Sequence, residues 1–220
     1  TIGLLTFGSA SILLGELGNA TWSDASLGER ILTACFQTVT SWPAGFATAD
    51  FAAFTDITLL ITPFLKLVGG APISAAGGIK TTTFRVLLAN LGEQLKGRKQ
   101  AVITNRAVND QIRNSAMLLF YYAILTILMG TFLLAVTETG LANHGAARIP
   151  LFSLFFEVVS AFSTTGLSIN VTPLLSDCGK IVLCVAMFIG KLGPVWLRTT
   201  ILQFHTEIAY AYPEESIPIG

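Results

Sequence analysis

The chain of 220 residues is 52% hydrophobic and only 12% charged, with 13 Lys and Arg balanced by 13 Asp and Glu, and its mean hydropathy is +0.68. Ordinary soluble domains are roughly 25% charged, so this composition leaves too little polar surface to cover a water-facing fold. It excludes a soluble globular protein of this length and points to a membrane as the solvent.

In chain order, residues 2–17 read as a first outer helix. Residues 27–41 read as a short pore helix, with Ser26 placed as its N-cap and Glu29 three residues on as the acid of a capping box. A small-residue loop follows at 42–47, and residues 54–90 form a descending apolar helix broken by the glycines at 69–78. The second half opens with a helix over 114–136. Its core, 115–136, carries no charged residue and exceeds the ~20 residues that cross a hydrocarbon core of ~30 Å. A short helix at 150–162, a loop at 163–167 and a long helix from 177 to about 205 complete the chain before a polar tail at 212–220. The apolar stretches at 2–14, 54–68 and 181–189 are shorter and run into Gly-rich or Thr-rich sequence. As spans they require broken helices whose backbone is satisfied by protein or by a wet cavity.

The two halves repeat one pattern. Phe36-Gln37-Thr38-Val39-Thr40-Ser41-Trp42, leading to Gly45-Phe46, recurs 120 residues later as Phe156-Glu157-Val158-Val159-Ser160-Ala161-Phe162, leading to Gly166-Leu167. Downstream, Val68-Gly69-Gly70-Ala71-Pro72 is answered by Ile189-Gly190-Lys191-Leu192-Gly193-Pro194. The repeating object is therefore a whole supersecondary unit. These signals predict an all-α, multi-pass membrane protein of two helix, re-entrant pore loop, helix repeats, potassium-channel-like, dividing into residues 1–111 and 112–220.

Seven of the 13 basic residues (Lys80, Arg85, Lys96, Arg98, Lys99, Arg106, Arg113) fall within 80–113, opposed only by Glu93 and Asp110. The positive-inside rule places that connection in the cytoplasm. A nucleic-acid patch is the rival reading, but the segment lies between apolar spans and has no interleaved aromatics. The connections at 17–30 and 138–148 then lie outside, with the tips of both loops. The chain begins at Thr1 rather than Met and enters an apolar stretch at once, which reads as a fragment of a longer protein. Cys35, Cys178 and Cys184 form no CxxC pair and read as small packing residues. His144 and His205 have no candidate partner at ligand spacing, so no metal, disulfide or cofactor is assigned.

The loops carry the chemistry. A cation losing its hydration shell needs several partial negative charges held at fixed radius, and backbone carbonyls supply them without burying carboxylates. Gly suits the end of such a loop because it turns sharply through φ > 0. The candidate filter is Thr40, Ser41, Trp42, Pro43, Ala44 and Gly45 in the first loop, and Ser163, Thr164, Thr165 and Gly166 in the second. The C-terminal partial charges of the two short helices favour a cation at the same depth. A lone Ser- and Thr-containing loop ending in Gly is an ordinary turn; two of them, each after a matching helix, are not. Glu157 reads as a hydrogen-bonded structural acid rather than an ion ligand.

Residues 40–46, the run Gly69-Gly70-Ala71-Pro72-Ile73-Ser74-Ala75-Ala76-Gly77-Gly78-Ile79-Lys80-Thr81, residues 188–194 and Tyr212-Pro213-Glu214-Glu215 together resemble the Trk/Ktr/HKT superfamily of potassium transporters, most nearly the pore-forming membrane subunit of the bacterial Ktr type. In that family four such units surround one ion path, and this chain is similar to the third and fourth. The resemblance implies that Gly45 and Gly166 are filter glycines associated with potassium selectivity. It further implies that Gly69, Gly70, Gly77 and Gly78 belong to an intramembrane gate loop, with Lys191 close to it. The implied function is potassium uptake, sodium-dependent, in a bacterial plasma membrane, by a non-enzymatic homodimer seated on a cytosolic nucleotide-binding regulatory ring.

Three features depart from the family pattern. The first loop reads Trp42-Pro43-Ala44-Gly45 where relatives carry Arg-Thr-Ala-Gly, and Pro43 removes an N–H. Ile73 and Ala75 replace smaller or hydroxylated gate residues. Lys66 replaces an apolar residue just before the gate, with local pairing and exposure to water both open. The four gate glycines also fit simple close packing of helices. Two alternatives to potassium uptake stand: a sodium-preferring or weakly selective path, and a non-conducting structural subunit. An intramembrane enzyme needs a nucleophile–base pair or a metal cluster, and the sequence offers neither.

Overall fold

In a computed structural model of the chain, the described residues are 2–19, 22, 25–71, 74, 76–97, 102–103, 106–139 and 149–203, with backbone alone at 102, 106, 139 and 193–203. The expectations placed on Pro72, Ile73, Ala75, Arg98, Lys99, His144, Arg148, His205 and the tail 212–220 fall outside them. Among the described residues, seven helices carry the fold. They are α1 (Ile2–Gly15), α2 (Leu27–Ser41), α3 (Asp56–Leu67), α4 (Thr81–Leu95), α5 (Asp110–Thr139), α6 (Leu151–Phe162) and α7 (Asp177–Gln203). A two-residue antiparallel pair, β1 (Val102–Ile103) with β2 (Arg106–Ala107), interrupts the all-α expectation between α4 and α5.

The repeat is visible in the packing. Helix α1 packs on α2 and α3, as α5 packs on α6 and α7, and the halves meet through α3 against α6 and α4 against α5. Single 3-10 turns at Phe51–Ala53 and Thr172–Leu174 occupy matching places after the two loops. One buried cluster centres on α5, α6 and α7, and a second, around Ile12, Trp22, Phe51 and Phe54, reaches across to Phe156 and Leu167 of the other half.

The same polar device closes each half. At the end of α1 the buried Glu16 carboxylate accepts the Thr55 N–H at 3.0 Å and the Thr55 hydroxyl at 2.9 Å, where Thr55 caps α3. In α5, Glu138 accepts the Ser176 N–H at 3.1 Å and the Ser176 hydroxyl at 2.6 Å, just before α7. In both, a carboxylate late in the outer helix satisfies the orphan donors at the start of the descending one. The predicted capping box of α2 forms, with the Ser26 N–H donating to Glu29 at 2.8 Å and the Glu29 N–H donating back to the Ser26 hydroxyl.

The helix break in the first half falls between Leu67 and Thr81. In the second half α7 continues through Gly190, Gly193 and Pro194, so no matching break exists there. Gly190 serves packing instead: it lies against the carbonyl of Phe162 at the end of α6, and any Cβ would collide with that oxygen. The three cysteines, expected as packing residues, are all exposed. Among the described residues one helix, Asp110–Glu138, is long and apolar enough to cross a membrane. Its Tyr121, Leu125, Leu128 and Phe132 face outward, while Ala123, Ile127 and Leu134 pack into the core.

Candidate functional site

Each short helix ends in a loop built on one hydrogen-bond plan. In the first half, the Thr40 hydroxyl in the last turn of α2 donates to the Phe46 carbonyl at 2.6 Å, and the Gly45 N–H donates to the Thr40 carbonyl at 3.4 Å. In the second, the Ser160 hydroxyl donates to the Leu167 carbonyl at 2.6 Å, and the Thr165 N–H to the Ser160 carbonyl at 3.0 Å. The helix-end hydroxyl therefore ties down the carbonyl that follows the loop glycine, twice. Gly45 (φ +72) and Gly166 (φ +80) both occupy the left-handed region, which other residues enter at a cost of roughly 1–2 kcal/mol.

A second anchor holds the chain beyond each loop. Gln37 of α2 donates to the Thr48 hydroxyl at 3.0 Å. At the equivalent place Glu157, 4% exposed, accepts the Ser168 and Thr172 hydroxyls, the latter at 2.7 Å, and the Ile169 N–H at 3.2 Å. These contacts give Glu157 the structural duty read from the sequence.

The backbone between the anchors is the notable part. Among the described residues, the carbonyls of Ala44, Gly45, Thr164, Thr165 and Gly166 accept no hydrogen bond. Among the described residues the buried Ser163 and Thr165 hydroxyls and the Trp42 indole N–H are without partner. Thr165 is buried, Gly45 and Thr164 are half-buried, and Ala44 and Gly166 are exposed, so the free acceptors on these successive residues are open to water or to a cation.

Both candidate sets come together. The Gly45 α-carbon approaches the Thr165 carbonyl so closely that a Cβ on Gly45 would collide with it, so the two loops abut. Thr40 and Ser41 lie buried in the last turn of α2, the Ser41 hydroxyl donating to the Gln37 carbonyl at 2.7 Å. Trp42 and Pro43 are half-buried and Ala44 exposed. Ser163 caps α6.

The segment expected to form the gate lies against the same loops. The Gly77 N–H donates to the Thr164 hydroxyl at 3.0 Å. Thr164 has φ +54, a rare conformation for a β-branched residue, and this bond from the gate segment helps to hold it. The segment itself is pinched at its neck, where Ile79 donates to the Leu67 carbonyl at 3.0 Å, and the Lys80 ammonium donates to the carbonyls of Ser74 (2.8 Å) and Ala76. Gly69 and Gly77 face each other across that neck, so their small size serves the loop rather than helix crossing. Gly78 (φ +74) is buried beside Ser163. A cavity of about 540 Å³ is walled by Trp42, Pro43 and Ala44 on one side and by Gly70, Ser74 and Ala76 on the other, with Thr164 and the exposed Lys191 completing it.

A family profile described as TrkH, cation transport protein, matches residues 4–205. The chain belongs to the TrkH family. Among TrkH relatives, the potassium/sodium uptake protein NtpJ of Enterococcus hirae is 33% identical over 219 residues, covering 99% of this chain and 48% of the relative. Ktr system potassium uptake protein D of Bacillus subtilis is 33% identical over 225 residues, covering all of this chain and 48% of the relative. The crystal structure of the potassium transporter TrkH from Vibrio parahaemolyticus matches with a TM-score of 0.74 at 22% identity, over 91% of this chain and 42% of that one; this likeness concerns the fold. The chain spans about half the length of the curated relatives it matches.

Sequence reasoning misses Ser160, and it misses the carbonyls of Phe46 and Leu167. The signal is present: Thr40 and Ser160 hold the same place in the repeated F-[QE]-x-V-[TS] string. Lys66 has no role in the sequence reading. It is fully buried and donates to the Leu167 carbonyl at 3.2 Å.

The two glycines differ in surroundings, and this gives a test. Gly166→Ala meets no atom within 4 Å, so it carries only the backbone strain, whereas Gly45→Ala adds a collision with the Thr165 carbonyl. In the full-length protein purified in detergent, Gly45→Ala is expected to lower the thermal midpoint clearly more than Gly166→Ala does. Equal losses would contradict the abutting-loop geometry.

Proposed function

We propose that this chain forms half of a potassium-selective uptake path, in which dehydrated cations pass the free carbonyls of two pore loops. The observation that carries the reading is the pair of abutting loops with unpaired acceptors at Ala44, Gly45, Thr164, Thr165 and Gly166. Each loop sits at the negative end of a short helix, which favours a cation at that depth. The relatives' names, potassium uptake or potassium/sodium uptake proteins, agree with this reading.

The protein is then a multi-pass protein of the bacterial plasma membrane, with two further loops supplied by a longer chain. Below the loops, the segment held by Lys80 and by the Gly77 to Thr164 bond acts as the gate. Lys191 places a positive charge on the cavity wall that a passing cation must clear. The family resemblance adds a homodimer, a cytosolic nucleotide-binding regulatory ring, and sodium-dependent uptake. The basic 80–113 connection and the C-terminal tail are the surfaces offered to that ring.

A sodium-preferring path is the second reading, favoured by the first loop. Pro43 has no N–H to steady its neighbours, and the Trp42 indole occupies space on the cavity wall.

In a host lacking its own potassium transporters, the full-length protein is expected to restore growth at low potassium. Gly166→Ser is expected to reduce the preference for potassium over sodium, measured as the ratio of uptake rates. Sodium influx without growth rescue would favour the second reading, and no flux of either ion would contradict both. Charge reversal at Lys96, Arg98 and Lys99 together is expected to abolish capture of the regulatory ring in pull-down, and undiminished capture would remove that surface from the account.

A further inference from the structure

The repeat is broken at one buried position. Lys66 on α3 is 0% exposed, yet it bears an amine. Its counterpart along the repeat, one residue ahead of the stretch that ends at Gly190 as Lys66 stands ahead of the one ending at Gly69, is the apolar and exposed Met187. Among the described residues this amine serves the second loop.

The contacts of Lys66 all lie in the other half of the chain or beside it. The Nζ donates to the Leu167 carbonyl at 3.2 Å and lies 3.4 Å from the centre of the Phe156 ring, with the Phe51 ring centre at 5.9 Å. The aromatic faces supply the electron density that such a head group favours. Glu157 is the acid whose field reaches it, but the Glu157 oxygens are occupied by Ser168, Ile169 and Thr172. Among the described residues Lys66 forms no ion pair with a carboxylate.

The acceptor is informative. Leu167 directly follows Gly166, and its carbonyl already takes the Ser160 hydroxyl at 2.6 Å. The second loop is thus held at its exit by two donors, one from its own helix and one from the neighbouring unit. A carbonyl with both lone pairs engaged is fixed in direction, and fixing it fixes the peptide next to Gly166.

We propose that Lys66 is a specificity-determining positioning residue of the cation path, holding the second loop across the unit boundary so that its carbonyls discriminate potassium from the smaller sodium ion. The proposal rests on the filter reading above. A loosened loop contracts around a smaller ion, so discrimination falls when the tether is cut.

The test measures potassium and sodium uptake by the full-length protein for Lys66→Met, Lys66→Arg, Ser160→Ala and the Lys66→Met, Ser160→Ala double variant, with thermal midpoints alongside. Lys66→Met, which keeps stem length and loses the donor, is expected to lower the potassium-to-sodium ratio by about tenfold, the worth of one charge-assisted hydrogen bond. The change should appear in the KM for potassium more than in the maximal rate, and Lys66→Arg should recover much of it. Because Lys66 and Ser160 share one acceptor, their effects on the ratio should be non-additive. A Lys66→Met protein that keeps the wild-type ratio and KM overturns the proposal, as does strict additivity. If Lys66→Met does not accumulate, Lys66→Gln, whose shorter stem withdraws the donor, is measured in its place: a lowered ratio supports the tether, and a wild-type ratio and KM overturn it. Failure of the wild-type protein to prefer potassium would instead overturn the filter reading itself.

Discussion

A peptide chain that dips into an apolar medium and turns back must find partners for its backbone, or leave groups free only where something else will satisfy them. In this protein the bond from a helix-end hydroxyl to the carbonyl after the loop glycine decides which groups are which. Thr40 to Phe46 and Ser160 to Leu167 close the exits of the two loops at the same length of 2.6 Å. Between those closures the carbonyls of Ala44, Gly45, Thr164 and Thr165 are unpaired among the described residues, and the 69–78 segment, the neighbouring loop and the cavity are arranged around them.

The closures depend in turn on the frame that delivers the helices. Glu16 and Glu138 tie the outer helix of each half to the start of the descending helix, and Gln37 and Glu157 tie each short helix to the chain beyond its loop. Glu16, Gln37 and Glu157 carry charge or amide groups into buried positions; the two carboxylates find hydrogen-bond donors there, whereas the Gln37 Oε1 has no partner among the described residues. The strained Thr164, held from the gate side by Gly77, is where frame and loop meet. A shift of Gly77 cannot occur without changing the partner of a loop residue.

Much of this is legible in the sequence because repetition doubles a weak signal. The F-[QE]-x-V-[TS] strings locate both short helices, and Ser26 with Glu29 marks the start of α2 to the residue. The glycines at 69–78 locate the break between α3 and α4. The second half is harder to read. Gly190 and Gly193-Pro194 look like the same break, yet α7 continues through them, because what Gly190 answers is the approach of the Phe162 carbonyl, a contact no local pattern reveals. Ser160 escapes notice for a similar reason: its acceptor lies seven residues away, past the turn. The cysteines face outward because small size alone does not say which side of a helix is covered when the solvent itself is apolar. Lys66 has no local partner to suggest a role, since its acceptor is 101 residues distant in sequence.

The central claim is that cations occupy the loop carbonyls. It is tested most directly by diffraction from the full-length protein grown with thallium, a heavy stand-in for potassium whose anomalous signal locates it. The account predicts a peak within direct coordination distance of the carbonyls of Gly45, Thr165 and Gly166, between the two loops. Thallium bound only elsewhere, with those carbonyls turned to protein donors, would contradict it.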